Sequence, residues 1–303
     1  MKLFVASTVA CLLMPVMLSG QTQILVNDSW ADAGRNNGAD PTDTDWWYST
    51  GSTAIEVGPN FLGLVSGGSG RGIHGTFASQ SLNFGDTLKA TYTFATPATV
   101  GTAQSAAFRI GFFDTTGKPG LAADITASSG SPNAIYNNLF GYMMDFDIRT
   151  GTENIGFRER TNSSSGQLLS TTVDYSVLAS GGSSYSISSN TTYTGEFSIT
   201  RNQDGSLSFT GSLFQGATQL STFTTSDASA STTSFGMLAF QANSSTFGSV
   251  NTVNTPDNGI DFSNIRIELI PVPEPSAFAL LALCGAGILL RRRRENRASF
   301  RRS

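Results

Sequence analysis

Asp145 and Asp147 are the side chains whose spacing best suits acid–base chemistry or contact with a polar ligand. Apolar and polar residues alternate from Tyr142 to Arg149, which predicts a β-strand, so Asp145, Asp147 and Arg149 should emerge on one face of a sheet. Two carboxyl groups on one face can hydrolyse a glycosidic bond. They can also hold the hydroxyls of a sugar without catalysis, or form a solvated face in which aspartate pairs with arginine.

A second acidic group precedes two tryptophans in the run DPTDTDWWYS. Its aspartates, Asp40, Asp43 and Asp45, carry the hard oxygen ligands that Ca²⁺ prefers, although their spacing differs from that of an EF-hand loop. Trp46 and Trp47 suit stacking on a sugar ring. The alternative is an Asp-rich turn that leads into a strand with both tryptophans in the core. We expect calcium as the candidate metal and no required cofactor.

The chain has one histidine, His74, and two cysteines, Cys11 and Cys284, which excludes several catalytic and metal sites. A Cys/His zinc site cannot be assembled from one such chain. The segment Gly67–Gly75 contains no G-x-S-x-G nucleophile elbow. It is not a phosphate-binding loop either, because no lysine and no helix pattern follow it. We therefore interpret this segment as a tight turn or bulge, with His74 in a structural role.

The elements that must position these residues are β-strands. Period-two alternation recurs along the chain, and its clearest examples are Leu88–Phe94, Tyr142–Ile148, Glu196–Thr200, Ser206–Leu213 and Ile265–Leu269. Asp204 and Gly205 separate two of these segments and predict a short hairpin. The connections are rich in Gly, Ser, Thr and Asn, and no interior segment has a helical apolar stripe. We predict one all-β domain over residues 21–270, an antiparallel β-sandwich of jelly-roll type.

The first 20 residues differ in character from this body. Met1 and Lys2 lead into an apolar run from Leu3 to Leu18, which small residues follow. A short positive start, an apolar stretch too short to span a membrane comfortably and small residues at its end are typical of a secretory signal peptide. We therefore expect residues 1–20 to be a signal peptide and the body to be exported.

The C-terminal segment, residues 271–303, combines an apolar stretch with a basic end. Residues 276–290 are apolar and uncharged. As a helix they cover about 22 Å, somewhat less than the roughly 30 Å of a bilayer core. The residues that follow are Arg291, Arg292, Arg293 and Arg294. The positive-inside rule places such a cluster in the cytoplasm, so we predict a single transmembrane helix that leaves the preceding chain outside.

Charge divides the chain in the same way. Residues 21–270 carry 10 Lys and Arg against 20 Asp and Glu, a net charge of −10, whereas residues 271–303 carry 7 Arg and 2 Glu. An acidic body repels polyanions, so we expect no nucleic-acid partner. Both cysteines lie outside residues 21–270, so burial and not disulfide bonding has to stabilise the body.

The tail resembles a known sorting signal. Val272, Pro273, Glu274 and Pro275, then the apolar stretch and then the arginine cluster, resemble the PEP-CTERM tail of Gram-negative bacteria. The resemblance implies recognition by an exosortase, a membrane-embedded cysteine transpeptidase, and cleavage near the Pro-Glu-Pro sequence. It also implies a precursor anchored in the inner membrane, which is then sent to the cell surface or the extracellular matrix.

The body resembles the concanavalin-like lectin and glucanase sandwiches in its succession of strands, which ends in the segment Asp257–Ile267. In glycosidases of that kind, one strand carries acidic residues at the spacing of Asp145 and Asp147, with a glutamate at each end of the set. Those glutamates are absent here. We therefore expect a non-catalytic sandwich that binds extracellular polysaccharide. The alternatives are a secreted glycosidase or polysaccharide lyase that uses the Asp145/Asp147 face, and a purely structural coat protein.

Overall fold

The computed structural model describes residues 20–36, 42–50, 55–65, 71–101, 107–125, 133–148, 154–161, 166–170, 172–243, 246–247 and 259–272. Thr22–Pro271 form one compact unit. Its strands are β1 (Gln23–Asp28), β2 (Trp46–Thr50), β3 (Ile55–Gly58), β4 (Phe61–Val65), β5 (Arg71–Ser81), β6 (Thr87–Ala95), β7 (Ala107–Phe113), β8 (Gly141–Asp147), β9 (Ile155–Arg160), β10 (Tyr175–Gly181), β11 (Thr192–Arg201), β12 (Leu207–Gln215), β13 (Thr218–Asp227), β14 (Ser234–Ala242) and β15 (Gly259–Ile270). Two short 3-10 helices, Pro119–Leu121 and Ala134–Tyr136, lie between β7 and β8.

The strands form two antiparallel sheets. One has eight strands in the order β13-β12-β11-β6-β15-β4-β3, and β1 pairs with the later part of β15. The other has seven strands in the order β10-β9-β8-β7-β14-β5-β2. The all-β sandwich predicted from the sequence is therefore confirmed.

Alternation along the strands decides which residues enter the core between the two sheets. In β6 the buried residues are Leu88, Ala90, Tyr92 and Phe94. Strands β11 and β12 alternate in the same way, and Gly205, with a φ of 89°, lies in the turn between them. The predicted alternation and the predicted hairpin are both confirmed.

A second apolar cluster lies on the outer face of the seven-stranded sheet. Strands β7, β8 and β14 contribute Phe113, Met143 and Met237. The residues that cover them come from loops and helical turns that run over the sheet, and include Leu121, Ile125, Tyr136, Leu139, Leu168 and Leu169. Strand β7 is consequently buried along its whole length, because it faces the core on one side and this cluster on the other.

Strand β5 begins inside the glycine-rich segment for which the sequence suggested a turn or bulge. Residues 71–75 belong to this strand, so a turn there was wrong, although the register with β2 shifts between Tyr48 and Thr50, opposite Ile73 and Gly72. Residues 67–70 lie outside the described chain. Glycine serves packing at these positions. A Cβ on Gly72 would collide with Ser49 Oγ and Gln241 Oε1, and one on Gly75 would lie 3.2 Å from the Trp46 ring.

Both terminal segments lie almost wholly outside the described residues, including the predicted signal peptide, Pro273–Pro275, the apolar stretch 276–290 and the arginines after it. Within the ranges that the structure describes, no helix is long and apolar enough to cross a membrane. The described chain reaches Val272, which follows closely on the end of β15.

Asp28 anchors the segment between β1 and β2 to the core. Its Oδ1 accepts a hydrogen bond from the backbone nitrogen of Trp30 at 3.0 Å, and its Oδ2 accepts one from Trp46 Nε1 at 2.9 Å. The two indole rings are buried, with centroids 6.3 Å apart. Burial of the carboxyl group raises its pKa to about 6, and the two hydrogen bonds offset this effect only in part.

We expect Asp28 to make the body more stable near pH 4 than near pH 7. Its pKa in the folded state exceeds that of an unfolded aspartate, so the stability that protonation contributes is lost as the pH rises through about 6. The effect should be on the order of 1 to 2 kcal/mol after solvent screening. Asp28→Asn should abolish this pH dependence. It should also lower the free energy of unfolding by the same amount at every pH, because an amide oxygen replaces only one of the two acceptors.

Urea unfolding of the wild type and of Asp28→Asn across this pH range is the measurement. His74 titrates with the opposite sign, because burial lowers its pKa to about 4 and stability then falls as the pH drops. The quantity to plot is therefore the difference in unfolding free energy between the two proteins. A difference that stays constant with pH would contradict the role assigned to Asp28.

Candidate functional site

The structure places the acidic pair on the outer face of the seven-stranded sheet. Met144 in β8 points into the core, so Asp145 and Asp147 lie on the opposite side of the strand. The pairing of β7 with β8 sets Asp145 opposite Arg109, and the pairing of β14 with β7 sets Gln241 opposite Arg109. We call Gln241, Arg109 and Asp145 the polar row.

Arg109 holds the polar row together. Its Nε lies 3.4 Å from Asp145 Oδ2, and its Nη1 donates a hydrogen bond to the carbonyl oxygen of Leu169 at 2.8 Å. The exposed fractions of the two paired side chains are 10% for Arg109 and 18% for Asp145, so the ion pair is shielded from water. One guanidinium group therefore positions both the carboxylate and the loop that contains Leu169.

The polar row contains two hydrogen-bond acceptors without a described partner. Asp145 Oδ1 and Gln241 Oε1 are inaccessible to solvent and accept no hydrogen bond from the described residues. Burial raises the pKa of Asp145, whereas the positive charges of Arg109 and Arg158 lower it. Unsatisfied acceptors of this kind are costly in a folded protein and call for a functional or structural reason.

Asp147 lies further along β8 than the polar row, and it is half-buried. Tyr185 donates a hydrogen bond to its carbonyl oxygen at 3.0 Å. Arg149 lies outside the described residues, so its predicted place beside the aspartates stays a prediction. The arginine that pairs with Asp145 is Arg109, which sequence reasoning missed because the two residues are 36 positions apart and only the β7–β8 register joins them.

The two tryptophans of the DPTDTDWWYS run have different environments. Trp46 has no exposed surface, and its ring packs against those of Trp30 and Phe240, with centroid distances of 6.3 and 6.1 Å. The expectation that Trp46 stacks on a ligand therefore fails, because its ring fills the core. Trp47 is half-buried and pairs with His74 across β2 and β5. A ligand contact by Trp47 stays a prediction.

Arg35 organises the loops around β2. It donates to the two carboxylate oxygens of Asp124, each at 2.8 Å, and to the carbonyl oxygen of Trp46 at 3.0 Å. Its guanidinium carbon lies 4.7 Å from the centre of the Tyr48 ring. The hydrogen bonds from Arg35 hold the pKa of Asp124 below its usual range. This bidentate pair links segments that no local pattern in the sequence connects.

The predicted calcium ligands are only partly described. Asp43 and Asp45 are half-buried, and Asp40 lies outside the described residues. In the part of the chain that the structure describes, no three His, Cys, Asp or Glu side chains converge as a metal site. Arg35 places a positive charge close enough to interact with Asp45, which works against a cation there. Calcium binding by this group stays a prediction.

His74 has the structural role expected for it. The side chain is fully buried, and its Nε2 donates a hydrogen bond to the carbonyl oxygen of Leu121 at 2.7 Å. Burial lowers the pKa of His74 to about 4, so the ring is neutral near pH 7. The histidine thereby ties the loop after β7 to β5.

A pocket of about 400 Å³ opens elsewhere on the seven-stranded sheet, near the end of β7. Its lining residues are Thr76, Thr115, Gly117, Lys118, Pro119, Leu121 and Ala122. Lys118 is the charged member of this set, and its Nζ donates to the carbonyl oxygen of Asn137 at 2.6 Å. Because the lining has no carboxylate, this pocket does not suit the acid–base chemistry considered for Asp145 and Asp147.

The tail matches a known protein-sorting family. Residues 271–294 match the PEP-CTERM protein-sorting motif, which confirms the prediction made from Val272, Pro273, Glu274 and Pro275. The motif indicates an exported protein with a membrane-anchored precursor. No curated protein matches the chain.

The body is similar to solved lectin and glucanase structures at low sequence identity. An endo-1,3-beta-glucanase from Streptomyces sioyaensis matches with 12% identity and a TM-score of 0.48, over 82% of this chain and 97% of that chain. The metal-free Emp46p carbohydrate recognition domain matches with 12% identity and a TM-score of 0.46, over 80% of this chain and 94% of that chain. Peanut lectin matches with 10% identity and a TM-score of 0.42, over 82% of this chain and 98% of that chain.

Arg109→Met should destabilise the body by about 3 kcal/mol at pH 7, because it leaves Asp145 as a shielded carboxylate without its partner. The loss should be smaller near pH 4.5. Removal of the guanidinium charge raises the pKa of Asp145 further. Near pH 4.5 the carboxyl group is therefore protonated at little cost in free energy. Urea unfolding at the two pH values measures both effects.

The matched control is the double variant Arg109→Met/Asp145→Asn, which removes the stranded charge and should recover part of the stability at pH 7. Equal losses for Arg109→Met at both pH values would show that Arg109 acts through Leu169 and not through Asp145.

Proposed function

We propose that this protein is delivered to the cell surface or extracellular matrix by its sorting tail, and that its body binds extracellular carbohydrate without catalysis. The match of residues 271–294 to a protein-sorting motif supports the destination. The observation that carries the binding role is a strip of half-buried and exposed polar side chains around Asp145, on the outer face of the seven-stranded sheet.

Removal of the tail would leave the body whole. Strand β15 ends at Ile270, before the Pro-Glu-Pro sequence. It pairs with β6 on one side and with β1 and β4 on the other, so three strands hold the last element in place. Cleavage near Pro275 by an exosortase-type transpeptidase would therefore separate a folded body from residues 276–303.

Before cleavage, residues 276–290 would hold the precursor in the inner membrane. The stretch is apolar and uncharged, and the cluster Arg291–Arg294 would keep its far end on the cytoplasmic side. The signal peptide at residues 1–20 would start export of the body. Together these segments account for an exported domain that is anchored first and then released.

The Asp145 side of the outer face has the groups that orient a sugar. Asp145 and Asp147 on β8, Arg158 on β9 and Ser180 on β10 are all half-buried or exposed. Carboxylates accept hydrogen bonds from sugar hydroxyls, guanidinium groups donate to them, and a serine hydroxyl does either. A few such groups on a rigid sheet are sufficient to fix the orientation of a ligand.

A glycosidase or polysaccharide lyase is the second candidate. One observation favours it, since burial raises the pKa of Asp145, as a general acid requires. However, Asp145 is ion-paired with Arg109, and glutamate is absent from Met143–Ile148. Because an ion-paired carboxylate is a poor proton donor, we favour binding over hydrolysis.

Replacement of Pro273, Glu274 and Pro275 by alanine should leave an uncut precursor in the membrane fraction of the native host, because the transpeptidase loses its recognition sequence. Mass spectrometry of the membrane, surface and medium fractions measures this. The wild-type body is expected outside the membrane, with a C terminus near Pro275. The control variant Pro119→Ala changes an exposed proline of the body and should be processed normally. Normal release of the triple variant would remove the sorting role from this motif.

The purified body, residues 21–270, should bind at least one extracellular glycan and release no product from it. Calorimetry against a glycan panel, with and without Ca²⁺, measures binding, and a reducing-end assay measures turnover. Asp145→Asn should weaken binding at least tenfold without loss of the sheet signal in circular dichroism. Product release would favour the glycosidase or lyase, whereas neither binding nor turnover would favour a structural coat role.

A further inference from the structure

Gly156 in β9 differs from the other strand glycines whose surroundings the structure describes. A Cβ on Gly156 would meet Ser180 Cβ at 3.8 Å and Asp145 Cβ at 3.9 Å, which are ordinary van der Waals distances. At the other positions the nearest atom to an added Cβ would be 3.1 Å away or closer; these are Gly58, Gly63, Gly72, Gly75, Gly111, Gly141, Gly181, Gly195, Gly211 and Gly236. Those glycines are needed for packing, whereas Gly156 is not.

The backbone does not require glycine at position 156 either. Gly156 is absent from the residues with positive φ, so a residue with a side chain can adopt its conformation. An interior glycine weakens a strand, because it adds no packing and raises the entropy of the unfolded chain. Such glycines often lie where a ligand approaches the backbone closely. Neither packing nor backbone conformation therefore requires glycine at position 156, whereas close approach of a ligand would favour it.

Polar side chains from three strands surround this space. The β8–β9 pairing sets Asp145 on one side of Gly156, and the β9–β10 pairing sets Ser180 on the other. The Cβ atoms of Asp145 and Ser180 lie only 3.9 and 3.8 Å from the Cβ position on Gly156, so the space between them admits the edge of one sugar ring. Arg158 lies on the same face of β9, and its charge acts on Asp145. We call Asp145, Gly156, Arg158 and Ser180 the Gly156 notch.

We propose that the Gly156 notch binds one ring of an uncharged sugar within an extracellular glycan. One edge of the ring lies against the Gly156 peptide, and its hydroxyls donate to Asp145 Oδ2, accept from Arg158 and pair with Ser180. This inference rests on the proposed carbohydrate-binding function and gives that function a location and a ligand class.

The charges around the notch favour an uncharged ligand. Arg109 and Arg158 balance Asp145 and Asp147, and Arg109 is already bound to Asp145 and to the carbonyl oxygen of Leu169. Among the described residues around the notch, no positive charge is therefore left over to attract a carboxylate or sulfate group. The net charge of −10 on the body, residues 21–270, also repels anionic polymers. Hydroxyl groups suit the notch because each can both donate and accept a hydrogen bond.

Gly156→Val tests the notch, because a Cβ at this position makes only ordinary van der Waals contacts and the methyl groups of valine would occupy the space proposed for the sugar. We expect binding of uncharged oligosaccharides to fall at least tenfold, while the melting temperature stays the same or rises because valine suits a strand better than glycine. Thr224→Val is the matched control. It changes an exposed residue on the outer face of the eight-stranded sheet and should bind as the wild type does.

Calorimetry with the body, residues 21–270, uses gluco-, manno- and galacto-oligosaccharides as uncharged probes and oligogalacturonate as the anionic probe. Circular dichroism gives the melting temperatures, and Gly156→Ala replaces Gly156→Val if the valine variant does not fold. Unchanged binding by a folded Gly156 variant would overturn the notch and leave the carbohydrate-binding function standing. Tighter wild-type binding of oligogalacturonate than of every uncharged probe would overturn the ligand class. No wild-type binding of any probe would overturn both proposals.

Discussion

Aromatic packing between the two sheets is the interaction on which the rest of this structure depends. Phe240 of the seven-stranded sheet lies 4.7 Å from Phe262 and 5.2 Å from Tyr92 of the eight-stranded sheet, measured between ring centroids. These contacts join the sheets directly. Because residues 21–270 contain no cysteine, burial of such rings supplies the cohesion that disulfides give to many other exported domains.

One face of each strand packs in this core, and the other face makes different contacts in the two sheets. On the eight-stranded sheet the outer face carries hydroxyl pairs such as Thr87 with Thr200, whose oxygens lie 2.7 Å apart. On the seven-stranded sheet, loops cover one part of the outer face with an apolar cluster, and polar groups around Asp145 occupy another part. Arg109 joins the two parts, since it binds both Asp145 and the carbonyl oxygen of Leu169.

The body and the tail divide the proposed function between them. The body ends with β15, which pairs with three neighbouring strands, and the sorting motif begins after this strand at residue 271. Residues 271–294 can therefore serve export, while the sheet surface around Gly156 can serve recognition. This separation follows from the end of β15 at Ile270, before the Pro-Glu-Pro sequence begins at Pro273.

The sequence by itself determined the all-β class, the strands that alternate clearly, the hairpin at Gly205 and the sorting tail, because each depends on residues close together in the chain. The tertiary structure alone decided which distant residues meet. Arg109 pairs with Asp145 across 36 positions and Arg35 with Asp124 across 89, and Trp46 enters the core while its neighbour Trp47 does not. Local patterns specify which way a side chain points along its own strand. Which strand lies beside it, and in what register, is set by the packing of whole sheets.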